Sequence, residues 1–153
     1  MREVIIGHPD GDHIVLRVLR RKHPSATDYY DGNSVDAQVS ISVRPWRGVF
    51  NADLRTDEFA RFRQRLEELN ERTKPEAMFA PMEPWLEFTL ELGSSGEVHL
   101  KGESGPEGFG RVFDETRLEF EARGFMDQAS LPSVIQQLEA IEREFPVIGG
   151  PLR

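Results

Sequence analysis

A chain of 153 residues can bury one substantial core without staples, and 1–153 reads as a single domain. It holds no cysteine, which excludes a disulfide framework and thiolate metal sites. Its 27 acids against 19 lysines and arginines leave a formal charge of −8, the wrong sign for a protein that grips a phosphate backbone, so no direct nucleic-acid contact is expected.

The chain opens on a short apolar strand over residues 3–6. That run is too short for a signal peptide, and no stretch reaches the ~20 apolar residues of a membrane span. The expected setting is therefore the cytoplasm, with no membrane contact. His8, Pro9, Asp10, Gly11 and Asp12 make a turn. Residues 13–22 form a strand with Ile14, Leu16 and Val18 on one face, and residues 23–33 form a polar loop. Val35, Ala37, Val39, Ile41 and Val43 alternate without a break. A turn at 45–48 returns the chain as a strand over 49–54, so these two segments predict an antiparallel hairpin.

Thr56 is the expected N-cap of a helix over about 56–71, with Asp57 and Glu58 in the first turn and Phe59, Phe62, Leu66 and Leu69 on one stripe. A short edge strand follows at 77–80. Leu86, Phe88, Leu90 and Leu92 then face inward on a strand at 85–92. A turn at 93–96 leads to a strand at 97–103, with Val98 and Leu100 inward, and residues 102–110 read as a glycine-rich loop. Residues 111–114 can start a further short strand. Leu118, Phe120 and Ala122 define the last strand, and residues 124–129 read as a connector. A helix over about 131–145 closes the chain, with Ser130 as its N-cap, Pro132 in its first turn, and Leu131, Val134, Ile135, Leu138, Ile141 and Phe145 on one stripe. Strands, helix, strands, helix without regular alternation predict an α+β fold: a mainly antiparallel, twisted β-sheet with both amphipathic helices packed on it.

His8, Asp10, Asp12 and His13 are the residue types that bind metals, in a spacing near that of the metallo-β-lactamase-type hydrolases, but Asp10 stands where that motif needs a histidine. A metal-dependent enzyme built on this turn is one alternative. A structural or adaptor domain that oligomerises through a sheet edge is another. No nucleophile elbow, phosphate loop or zinc-helix motif is present, so no catalytic residue, metal ligand or cofactor is assigned. The outward positions of the last three strands collect carboxylates, among them Glu87, Glu91, Glu119 and Glu121. Such a face is either solvated or kept for a basic partner. Asp28, Tyr29, Tyr30 and Asp31 form a second candidate patch in the polar loop, where exposed aromatics favour binding.

Several short motifs together carry a family resemblance. They are Asp31-Gly32-Asn33 before the alternating strand, Gly48 through Leu54 leading into the first helix, and Glu83 before a strand. Gly96 through Gly102, Leu118-Glu119-Phe120, Asp127-Gln128, Leu131-Pro132 and Phe145-Pro146 complete the set. In these the chain resembles the WapI-type immunity proteins of bacterial polymorphic toxin systems. The resemblance implies a small cytoplasmic protein that binds and neutralises a cognate toxin domain, often a nuclease, with no catalysis and no cofactor. On that reading Glu87, Glu91, Glu119 and Glu121, with Asp28, Tyr29, Tyr30 and Asp31, are the expected partner-binding residues.

Overall fold

The computed structural model of the protein describes residues 1–83, 85–105 and 117–150. Its strands form two four-stranded antiparallel sheets. Sheet one consists of β1 (Arg2–Gly7), β2 (His13–Arg21), β3 (Ser34–Val43) and β4 (Trp46–Arg55), paired in that order. Sheet two consists of β5 (Glu76–Phe79), β6 (Leu86–Leu92), β7 (Glu97–Ser104) and β8 (Leu118–Asp127), again in chain order. A one-turn helix, α1 (Tyr29–Gly32), sits between β2 and β3, α2 (Thr56–Asn70) links the sheets, and α3 (Leu131–Glu144) ends the fold after a 3₁₀ turn at Gln128–Ser130. No helix among the described residues is long and apolar enough to cross a membrane.

Period-two apolar patterning is what closes this structure. Val35, Ala37, Val39, Ile41 and Val43 all point to the buried side of β3, and Ile14, Leu16 and Val18 do the same on β2. The inner faces of both sheets and one stripe of each long helix share a single buried cluster. On α2 the stripe is aromatic: Phe62 meets Phe79 and Phe88 edge-on, with centroids 5.5 and 5.4 Å apart. α3 packs between α2 and β1. Arg63 of α2 pairs with Glu142 of α3, and the amide oxygen of Gln137 accepts the Ile5 N–H at 2.8 Å, satisfying a donor on the edge of sheet one.

Several sequence expectations change at the element ends. The strands form two sheets rather than one: β4 and β5, joined through α2, do not pair. Thr56 does not cap α2: Arg55 holds the cap position, and the Thr56 hydroxyl donates instead to the Asn33 side chain at 2.9 Å. Ser130 makes no capping bond either, since the 3₁₀ turn before α3 already places it in helical backbone. The hairpin turn is tighter than expected, with Val43 pairing directly with Trp46, so β4 begins at Trp46 rather than at 49. Asp28 caps α1 in what reads as loop, its carboxylate accepting the Asp31 N–H. Gly102, Glu103 and Ser104 belong to β7. β8 continues through the expected connector to Asp127. The expected strand at 111–114 lies outside the described residues.

Candidate functional site

The outer face of sheet two assembles the four carboxylates picked out by the strand pattern. Glu87, Glu103 and Glu119 stand directly opposite one another across β6, β7 and β8. One step along, Thr89, Lys101 and Glu121 form the next row, and Glu91 lies opposite His99. Glu76 on β5 faces Glu91. Three glutamates in one cross-strand row oppose folding, since like charges directly opposite destabilise a sheet. Among the described residues, Lys101 and Arg117 bring positive charge to this face. Arg117 pairs with Glu103. His99 is held between two carboxylates: its Nε2 is 2.6 Å from Glu121 Oε1, off the hydrogen-bonding direction, and its Nδ1 is 3.8 Å from Glu91 Oε2. The face is dished, with a shallow depression of about 460 Å³ lined by Glu87, Lys101, Glu103, Glu119 and Glu121.

The second candidate patch lies apart from this face, on the β2–β3 connection of sheet one. Asp28, Tyr30 and Asp31 are exposed there, and Tyr29 is half-buried. Much of its polar capacity is used internally. Buried Arg55 donates to the carbonyls of Tyr30 and Tyr29 at 2.6 and 2.9 Å, and its guanidinium lies over both rings. Its Nε also donates to Asp57 at 3.0 Å. The C-terminal tail closes over α1. A Cβ on Gly32 would sit 2.4 Å from Ile148 Cδ1, which is why a side chain is not accommodated there.

The turn between β1 and β2 holds the residues that suggested a metal. Asp12 Oδ1 accepts both the backbone N–H and the Nε of Arg44 at 3.0 Å, and these bonds hold its carboxyl below the usual range. His13 Nδ1 is 2.9 Å from the Gly11 carbonyl. Among the described residues no group of three or more histidines and carboxylates is arranged to hold a metal ion.

One acid of the helix's first turn has a setting that its sequence position does not foretell. Glu58, in the first turn of α2, is only 4% exposed, and one of its carboxylate oxygens has no hydrogen-bond partner. Burial, reinforced by neighbouring Asp57, pushes its carboxyl up to about 8, against the pull of Arg55 and Arg61. In the sequence it is an ordinary acid at a helix N-terminus, and Met82 and Glu83, which line the same small pocket in the fold, are distant from it in the chain.

Two antiparallel sheets closed by two helices over one core, with carboxylates crowded on an outer sheet face, define a small α+β protein whose assembled polar feature is an open surface. The WapI-like immunity protein family model matches residues 5–146, and the chain belongs to that family. Membership supports an immunity role. None of the curated proteins compared with the chain matches it. Among solved structures, a chain from the Trypanosoma brucei MRP1/MRP2 crystal structures aligns with 16% identity and a TM-score of 0.46, covering 93% of this chain and 83% of that one.

Proposed function

We propose that the protein works in the cytoplasm as a stoichiometric inhibitor, binding a cognate toxin domain through the outer face of sheet two and carrying out no chemistry itself. Family membership supports the immunity role. The observation that carries the choice of surface is the row Glu87–Glu103–Glu119, flanked by Glu91 and Glu121 on the same side. Arg117 already offsets Glu103, and a basic partner would relieve the repulsion that Glu87 and Glu119 add on either side of it. A nuclease fits best among toxin classes, because a protein that grips phosphates is basic where it grips. The patch around Tyr29 and Tyr30 is the lesser candidate, since its carbonyls are already bonded to Arg55.

Capture with this protein as bait from its own source, followed by mass spectrometry, tests the role: a single stoichiometric partner with a basic domain is expected. The surface is tested by reversing Glu87, Glu91, Glu119 and Glu121 to lysine together. Neutralisation should be lost while circular dichroism stays native, and Tyr30→Ala should leave it intact. Full neutralisation by the folded reversal variant would sink the assignment of this face.

A further inference from the structure

β8 is paired on one side only, so the backbone groups of its other edge have no ladder partner among the described residues. Such edges are usually blunted by a bulge, proline or cover. The second half of β8 is: it carries an irregularity near Gly124, Phe125 and Met126 are buried, and a Cβ on Gly7 of β1 would meet the Phe125 ring at 2.7 Å. Among the described residues, Leu118 to Ala122 has none of these devices. On the other edges, α3 bonds to β1 through Gln137, and Arg65 of α2 donates to the Met78 carbonyl of β5. Among the described residues β4 is also paired on one side only, but the outward residues beside Val49, Arg47 and Asn51, offer no negative charge.

The free half of β8 divides two chemistries. Glu119 and Glu121 turn to the acidic outer face, whereas Leu118 and Phe120 turn inward. With Ile41, Val43, Trp46 and Phe50 they line an apolar groove of about 190 Å³ at the open end of the core. Trp46 is 67% exposed there and Leu118 42%.

We infer that the edge from Leu118 to Ala122 accepts an extended segment of the partner as an added strand, in which lysines or arginines alternate with apolar side chains. The inference rests on the reading that the partner is a basic toxin domain. Strand addition draws affinity from main-chain bonds and specificity from alternate side chains. Because strand side chains alternate, an added strand would send one set over Glu119 and Glu121 and the other over the groove. A second copy of this chain fits worse, since it would bring these glutamates and a net charge of −8 against their own like.

The test is titration of the isotopically labelled full chain with two synthetic peptides of about ten residues, long enough to span a strand. Both contain lysine and valine in equal number, strictly alternating in one and in two blocks in the other. The alternating peptide should slow amide exchange from Leu118 to Ala122 and bind at least ~10-fold more tightly than the block peptide. Leu118→Glu and the pair Glu119→Lys with Glu121→Lys should each abolish that preference. Equal binding of both peptides, with shifts confined to Glu87, Glu91 and Lys101, would mean that charge alone acts and would overturn the inference. So would absence of binding, or a dimer by light scattering whose protected amides fall on this edge. Toxin capture by the wild-type chain reads the immunity role separately: capture that persists while the peptides fail removes the edge and leaves that role standing.

Discussion

Asn33 shows no surface to solvent, and both ends of its amide are used twice. Nδ2 donates to the carbonyls of Tyr29 and Ile148 at 2.7 and 2.9 Å, while Oδ1 accepts the Thr56 hydroxyl and the Ile148 N–H, both at 2.9 Å. One side chain thus ties α1, the start of α2 and the C-terminal tail together. Asn33→Ala removes these bonds from the Thr56 hydroxyl and from both Ile148 backbone groups, while the Tyr29 carbonyl keeps Arg55, and each buried group left unpaired costs roughly 1–3 kcal/mol. A loss of about 3 kcal/mol is expected, read as a lower urea midpoint with an unchanged slope. Glu58 acts on stability through protons. Its carboxyl titrates near 8 in the folded protein and near 4.5 when unfolded. Between those values the unfolded chain releases a proton that the folded chain keeps, so stability falls as pH rises. The favourable contribution is whole below about 4.5 and gone above about 8. Glu58→Gln keeps the shape and removes the titration. The variant should gain on wild type between pH 5 and pH 8 by on the order of 3 kcal/mol, at about 1.4 kcal/mol per pH unit. Parallel urea midpoints at the two pH values check it, and a constant gap would refute it.

At the scale of elements, β8 shows what patterning reveals and where it stops. Leu118, Phe120 and Ala122 announce a strand by their alternation, and the buried stripes of α2 and α3 match their apolar spacing, Phe59 to Leu69 and Leu131 to Ile141. The continuation of β8 to Asp127 is hidden because the strand changes phase. Leu100 pairs with Ala122 and Val98 with Met126, so β8 spends extra residues between these partners, and Gly124 there takes a positive φ of 64°. A local rule sees the broken alternation and a glycine and reads a connector. The missed caps have a similar cause. Thr56 is a good capping residue by type, but the buried side-chain oxygen of Asn33 accepts its hydroxyl. The carboxylates of the acidic face were legible because outward positions follow from the period, whereas their alignment in one row needed the register. Gly124→Ala isolates the backbone term, since nothing lies within 4 Å of the new Cβ. It should cost about 1–2 kcal/mol, the penalty for left-handed backbone in a residue with a side chain. Thermal unfolding checks it, and a loss larger than that would point to displaced neighbours.

For the whole molecule, charge bears on the rate of encounter more than on the strength of the final complex. The protein carries a formal −8, and part of it is concentrated on one dished face. A field of that kind draws an oppositely charged partner from a distance, and salt shortens its reach, to about 10 Å at 0.1 M against about 30 Å at 0.01 M. If the outer face of sheet two meets a basic toxin domain, association should slow by at least ~10-fold between those ionic strengths, while dissociation changes far less. Replacing Glu87, Glu91, Glu119 and Glu121 by glutamine takes the formal charge from −8 to −4, four carboxylates being removed, and flattens that salt dependence. The same four substitutions placed elsewhere on the surface, at Glu68, Glu71, Asp10 and Glu139, give an equal net charge and should keep most of it. Stopped-flow measurement with the captured toxin domain separates the two. Equal salt slopes for both variants would mean that net charge, and not this face, sets the encounter.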